Sequence, residues 1–538
     1  MKNILIIFLS LFIFSCKNSN KSDSEKPESA KKISKRDLSI TPQNSYSDLF
    51  TDSTALEKFI LDNNLNDTIS RRMRSFYNAR NFQFAWFTTT GLTEQARGFW
   101  NLHNYQTVYK NDTLLIDKDL EKKMDDLAEE ESLKLSANEN LINIEFKLTE
   151  HFILYSLDDL VEKNIKRKEM ERFIPRKKEN ALALADSLLN KKHKDDKYFE
   201  DINKAYGLLK DKLKVYYDIA TSGGFPKLDG KEKDYSFGTS SPFILPLKRH
   251  LQLTGDFPSG DTSLLFDEQL QNAVKRVQMR FGYEPTGKVS SSLIKDLNVS
   301  AVDRVKQILI NMNRMRWMVQ QPEGKLITVN IPEFILHVND GAKKVFDMNV
   351  VVGKEGHNTT IFSGDLNQVV FSPYWNVPPS IVKKEILPGI EKDPDYLQTH
   401  NMEIVNNNGA LPVVRQLPGP KNSLGKVKFL FPNSYNIYFH DTPAKSLFEK
   451  DKRAYSHGCI RLSDPKKMAM YLLQDDPQWT SSKIDAAMNS GTEKFVKLKK
   501  PVPVIITYYT AWVDENNLLH FAGDIYGHDE KVSSMMFN

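Results

Sequence analysis

The chain of 538 residues is 40% hydrophobic and 27% charged, with 24 Gly, 24 Pro and only two Cys. That apolar share excludes a wholly disordered, collagen-like or disulfide-framework protein, and the length predicts three or four domains. Lys+Arg 74 against Asp+Glu 69 leaves a net charge of +5, too mild for nucleic-acid binding unless it is clustered. The visible clusters (Lys166, Arg167, Lys168 and Lys191, Lys192, Lys194) lie among acidic residues, as solvated helix faces do. No nucleic-acid partner is expected.

Residues 1–15 read as a secretory signal: Lys2, then an apolar run from Ile4 to Phe14 broken only by Ser10. As a helix that run would reach about 16 Å against a bilayer core of ~30 Å, too short to span. Ser15 before Cys16 resembles a bacterial lipobox, which implies lipidation of Cys16; the rival is a plain signal peptide with a chance cysteine. Residues 16–45, almost free of large apolar groups, are expected to form a flexible tether. Lipid and tether together predict a body anchored to, not spanning, a membrane, facing the periplasm, and Lys17 points to the outer membrane. A lipidated Cys16 leaves Cys459 without a disulfide partner, and a lone thiol in an oxidising space draws attention to its function.

Further along, residues 46–240 are helical in pattern, including TALEKFILDNN, SRRMRSFYNARNFQFAW and ANENLINIEFKLTEHFILYSLDDLVEKN, with no cluster of catalytic residue types. Residues 241–300 predict a three-helix module, with Leu270, Val274, Val277 and Phe281 on one stripe of its second helix. From 301 one helix (AVDRVKQILINMNRMRWM) precedes strand-like runs such as LITVNIPEFILHVN, FDMNVVVG, NQVVFSPYWNVP, KVKFLFPN and VPVIITYYTAWV. A Pro- and Gly-punctuated stretch, 383–425, interrupts them and is expected to be an inserted flap. The fold class predicted is multi-domain α+β.

The chemistry concentrates in NIYFHDTPAKSLFEKDKRAYSHGCIRLSDPKKMAMYLL. The two-residue period of a strand puts Tyr438 and His440 on one face and Ile437 and Phe439 on the other; Cys459 and Arg461 likewise oppose Ile460 and Leu462. Gly458 permits a tight turn, and Ser463, Asp464 and Pro465 predict a helix start. A thiol, two imidazoles (His440, His457), a fixed cation and a glycine turn with backbone N–H donors form a kit for cysteine acyl transfer, with Arg461 and the helix start favouring a thiolate. The bland alternatives are a buried structural cysteine and an ordinary strand histidine. A third is zinc held by His440, His457 and Cys459, although two ligands flanking a single glycine are closer than metal ligands usually stand. No cofactor or metal is expected.

SHGCIRL, with the histidine of YFHDTP nineteen positions before its cysteine, resembles the signature of the L,D-transpeptidase catalytic domain, the YkuD domain. SPYWNVPPSI, RQLPGPKNSLGKVKF and YYTAWVDENNLLHFAGDIYGHD resemble that family's large multi-domain periplasmic subgroup. Residues 245–298 are similar to a peptidoglycan-binding module, apart from a polar insertion, DFPSGDTSLLFD, and RNFQFAWFTTTGLTEQAR resembles the subgroup's scaffold. The organisation implied is a signal peptide (1–15), a tether (16–45), a helical scaffold (46–240), a peptidoglycan-binding-like module (241–300) and a catalytic domain (301–538) with 383–425 as its lid. The resemblance implies Cys459 as nucleophile, His440 as base oriented by a backbone carbonyl such as that of Asp441, Gly458 and Cys459 as oxyanion donors, His457 as a shaping histidine and Arg461 as a site cation, with Tyr438 and Trp375 lining the donor groove. It implies reaction on peptidoglycan tetrapeptide stems, release of D-alanine through a thioester and 3→3 diaminopimelate crosslinks, with carbapenems as acylating inhibitors. The alternatives are an L,D-carboxypeptidase using water and a non-catalytic wall-tethering lipoprotein.

Overall fold

The computed structural model describes residues 33–110, 112–129, 134–158, 174–190, 204–230, 234–318, 323–407 and 409–538. The signal segment, Cys16, the tether as far as residue 32 and both basic clusters lie outside the described residues. No described helix is long and apolar enough to cross a membrane.

The end of the expected tether is bound, not free. Ile40 is buried, Asn81 Nδ2 donates to its carbonyl (2.7 Å), and Asp37 N donates to Asn78 O (2.9 Å). One apolar anchor in a polar stretch is enough to dock it, so residues 33–45 belong to the scaffold.

The scaffold packs helices Ser53–Asp62, Asp67–Asn78, Glu94–Tyr109, Lys118–Glu129, Glu139–Asp158, Ala181–Leu189 and Lys204–Thr221 around an aromatic core containing Phe76, Tyr77, Trp86, Phe99 and Phe152. The run SRRMRSFYNARNFQFAW is not one helix. It leaves the helix at Asn78, because Asn81 and Phe82 are left-handed (φ 53° and 60°). The buried chain beyond satisfies its backbone elsewhere: Glu145 accepts from Ala85 N (2.7 Å) and Trp86 N (3.1 Å).

The three-helix module forms as expected from Ile244–Leu253, Glu268–Arg280 and Ser291–Leu297, with Leu270, Val274 and Val277 in its core. Its polar insertion wraps over a fully buried Lys248, whose ammonium meets Asp261 (2.7 Å) and Ser263 Oγ (2.7 Å).

The last part is built on a nine-stranded sheet. Its order is Ala454–Ser456, Lys343–Gly353, Ile460–Leu462, Phe439–His440, Val427–Leu430, Phe362–Phe371, Lys494–Thr507, Lys325–Asn330 and Ile335–Asp340. Ile335–Asp340 also pairs with Lys343–Gly353, so the sheet closes on itself around Ile327, Val350, Phe429, Phe439 and Ile460. The lid leaves the sheet after Phe371 and returns at Val427, wider than 383–425. It has its own small cluster of Val377, Val382, Ile386 and Val414.

Two boundaries move. Helix Ala301–Met315 was expected to open the catalytic domain, but it packs into the scaffold core through Val305, Ile308, Leu309 and Met312. The carboxyl-terminal segment also joins that core through Val532, Met536 and Phe537. Polar contacts clamp this junction: Arg314, buried, pairs with Glu94 and with Asp529 (2.6 Å), and Asp529 accepts from Thr510 Oγ1 (2.5 Å). Removing the cation leaves two carboxylates buried without it. Arg314→Met is expected to lower stability by about 3–5 kcal/mol, read from the shift in guanidinium chloride midpoint against the unsubstituted protein.

Candidate active site

The site is assembled by two short parallel strands. Phe439 pairs with Ile460 and His440 with Arg461; on the far side His440 pairs with Lys428. Phe439, Ile460 and Leu462 fill the sheet core, while Tyr438, His440, Cys459 and Arg461 fall on the opposite face, as the strand period predicted.

The turn carrying the thiol is held from both ends. Gly458 has φ 110°, and Ser456 Oγ accepts from its N–H (3.2 Å) while donating to Cys459 O (2.5 Å). Thr359 Oγ1 donates to Gly458 O (2.8 Å) and accepts from Gly353 N (2.9 Å), and Tyr526 OH donates to Gly353 O (2.7 Å). Asp464 caps helix Pro465–Leu473 by accepting from Lys467 N (3.0 Å). Ser456, within the SHGCIRL motif, is a positioning group, and so are Thr359 and Tyr526, which a reading confined to chemical motifs missed; Tyr526 falls within a stretch noted only for its family likeness.

The thiol itself is half-buried and directed at the Asn436 carbonyl oxygen (3.6 Å), with the Tyr438 hydroxyl and backbone N–H also hydrogen-bonded to it. Asn436 is held by Asn433, whose side chain bonds Ile437 N (3.1 Å), Ile437 O (2.8 Å) and Phe431 O (2.7 Å). Among the described residues no hydrogen bond joins Sγ to the His440 ring. That ring is buried, and its Nδ1 donates to Asp441 O (2.5 Å), the orienting carbonyl that the resemblance had suggested. A donor at Nδ1 leaves Nε2 as the basic nitrogen.

Burial dominates the electrostatics. It pushes the Cys459 thiol up to about 11, with the Tyr438 hydrogen bonds and Arg461 pulling the other way. It pushes His440 down to about 3, reinforced by the Arg461 charge. At neutral pH the pair rests as thiol and neutral imidazole: Arg461 favours the thiolate, as expected, but desolvation outweighs it. Among the described residues, Arg461 Nε is buried without a hydrogen-bond partner.

His457 points away towards the lid. Its Nε2 lies 3.0 Å from Glu385 Oε1, on the π-helical turn Val382–Ile386, and its ring is 5.0 Å from that of His357. Trp375 packs on the lid's own apolar cluster. Thus Cys459, Tyr438, His440, Gly458 and Arg461 form one centre, His457 belongs to the contact between lid and turn, and Trp375 to the lid. Among the described residues no three histidine, cysteine or carboxylate side chains form a group able to hold a metal ion, which leaves the zinc alternative without a ligand set.

Three family models match along the chain: "L,D-transpeptidase catalytic domain" over 324–504, "Scaffold domain" over 71–213 and "Putative peptidoglycan binding domain" over 240–297. Residues 324–504 are thus similar to the YkuD L,D-transpeptidase catalytic domain. A Haemophilus influenzae protein named "Putative L,D-transpeptidase" is 30% identical over 249 residues, 43% of this chain and 50% of its own length, so the chain spans about half of that relative. Among solved structures, an L,D-transpeptidase from Stackebrandtia nassauensis is 13% identical, covering 51% of this chain and 95% of its own, with a TM-score of 0.23. Another from Mycobacterium smegmatis is 15% identical, covering 34% and 58%, with a TM-score of 0.19. The YkuD boundaries include the lid, the paired strands and the thiol turn, but not helix Ala301–Met315.

Two outcomes follow from the geometry of this centre. Because the thiol is raised and the thiolate is the reactive form, alkylation of Cys459 by iodoacetamide is expected to be slow at neutral pH and to rise about tenfold per pH unit from about pH 7 to about pH 10; mass spectrometry of the Cys459 peptide measures it. A Cβ at Gly458 would meet only Asn358 O, at 3.9 Å. The cost of Gly458→Ala is therefore backbone conformation, about 1–3 kcal/mol, measurable by thermal unfolding.

Proposed function

We propose that this protein is a cysteine-dependent L,D-transpeptidase acting on peptidoglycan tetrapeptide stems. The observation that carries the reading is the joint presentation of Cys459, Tyr438, His440 and Arg461 on one sheet face, with the His440 tautomer fixed by Asp441 O. In the proposed cycle the donor stem enters under the lid, and the Cys459 side chain turns from Asn436 O towards His440. His440 Nε2 takes the thiol proton as sulfur bonds to the carbonyl carbon of the third residue, a diaminopimelate. Gly458 N–H is already engaged by Ser456, so the Cys459 N–H is the backbone donor for the oxyanion. Collapse breaks the C–N bond to the terminal D-alanine, whose amine leaves with the proton from His440, and a thioester remains. The side-chain amine of a neighbouring diaminopimelate then attacks the thioester, loses a proton to His440 and releases the thiol, giving a 3→3 crosslink. A buried pair with no charge before the substrate arrives suits this order, since charge forms only as the new bond does.

Water in the acceptor's place gives an L,D-carboxypeptidase through the same thioester. The likeness of residues 240–297 to a peptidoglycan-binding domain supports action at the wall, the lipobox-like Ser15–Cys16 supports a lipid anchor facing the periplasm, and Lys17 supports the outer membrane as its place. A carbapenem is proposed to acylate the same sulfur.

The test is incubation of the full chain in detergent, and of Cys459→Ala, with purified disaccharide-tetrapeptide, followed by mass spectrometry. A cysteine-dependent crosslinked dimer lacking one alanine is expected, with a carbapenem mass adduct on the unsubstituted protein alone. Tripeptide monomer as the sole product assigns the carboxypeptidase. Product or adduct in Cys459→Ala refutes the cysteine mechanism.

A further inference from the structure

The cycle above uses the His440 ring and the Asp441 carbonyl, but not the Asp441 carboxylate. That carboxylate is buried and bound from three directions. Oδ1 accepts from Thr442 N (2.7 Å) and from Lys445 Nζ (2.7 Å), and Oδ2 accepts from Lys426 N (2.8 Å). Its backbone N–H donates to Val427 O (2.9 Å). With amide and side chain both fixed, the following carbonyl has little freedom to rotate, and this carbonyl holds His440 Nδ1 at 2.5 Å.

The neighbouring chain is shaped around the same group. Gly425 has φ 61°, and a Cβ there would stand 2.4 Å from Asp441 Cγ and Oδ2. Gly425 N in turn donates to Asn422 O (2.8 Å), and the buried Asn422 Nδ2 donates to Pro373 O (3.0 Å) and Leu417 O (3.0 Å), tying together the two chain crossings at the root of the lid. The carboxylate therefore sits where the lid root and the base strand meet.

We propose that Asp441 is a positioning residue: its carboxylate clamps the peptide that fixes the Nδ1–H tautomer of His440, and Gly425 is glycine because this clamp needs the space. The inference rests on the reading of His440 as the base. It adds that a buried carboxylate acts on the base through the backbone rather than by touching the ring.

The test pairs kinetics with a direct reading of the tautomer. Asp441→Ala is expected to lower kcat for the disaccharide-tetrapeptide by about tenfold to a hundredfold with KM unchanged. The same substitution made on a His440→Ala background is expected to cost nothing further. In protein labelled with 15N at the histidine rings, the His440 signals, assigned by their loss in His440→Ala, are expected to move from a single Nδ1–H tautomer to a mixture. Asp441→Asn, which keeps volume and one acceptor, and Lys445→Ala, which removes only the partly exposed anchor, are expected to lie between, and they carry the test if Asp441→Ala does not fold. Unchanged kcat, an equal loss on the His440→Ala background, or an unaltered tautomer in folded variants overturns the proposal. An inactive unsubstituted protein refutes the functional reading instead, and the tautomer measurement still decides this one.

Discussion

One guanidinium ties the ends of the described chain to its middle. Arg314 lies buried between Glu94 of the scaffold and Asp529 of the carboxyl-terminal helix. Charges out of water persist only when paired, so each member fixes the other two. Gln95 donating to Asn313 (3.1 Å) and Asn311 to Thr510 (2.8 Å) extend the clamp along helix Ala301–Met315. Close packing completes it: a Cβ at Gly98 would stand 2.6 Å from Trp317 Cβ, so the two segments touch where only glycine fits. From this junction the scaffold reaches the catalytic sheet. Asn101 accepts from Ser363 N (2.7 Å), and Tyr109 OH donates to Pro432 O (2.8 Å), just ahead of the turn that presents Asn436. The helical part thus braces the rim of the site as well as filling space beside it.

The site on that frame is arranged against early charge. Desolvation raises the thiol and lowers the imidazole, while Arg461 favours charge on the first and opposes it on the second. A standing thiolate–imidazolium pair would need hydrogen bonds that the resting geometry does not make. What the fold supplies is orientation: a thiol turn pinned by Ser456 and Thr359, and a ring pinned by Asp441 O.

What was legible in the sequence divides along physical lines. The alternation in NIYFH and CIRL is local and periodic, so the faces of Tyr438, His440, Cys459 and Arg461 could be assigned before any fold was known. The Asp464 cap and the three-helix module were legible for the same reason. Contacts across long separations were not. Glu385 against His457, Tyr526 against Gly353 and Thr359 against Gly458 leave no periodic trace. Helix Ala301–Met315 was legible as a helix, but which core it joins depends on Glu94 and Asp529, more than 200 positions away in each direction. The run through Phe84 failed as a helix because a buried carboxylate, Glu145, captures its amides from a distant helix. The tether's last residues failed because a composition average hides a single Ile40.

The parallel pairing of the two strands also decides which part of the motif is a ruler. His440 and Cys459 are held by the two register pairs Phe439 with Ile460 and His440 with Arg461, by the Asp441–Lys445 contact at one end and by Ser456 at the other, and not by the exposed stretch between those ends. That stretch arches outward through Glu449, Lys450, Asp451 and Lys452, which are exposed. Lengthening such an arch costs only slowly rising closure entropy, whereas slipping either strand by one residue would turn its reactive side chain into the apolar core. Insertions and deletions are therefore tolerable within the arch and ruinous at its two ends: the nineteen-residue separation is a property of this chain, and the register is the requirement of the chemistry.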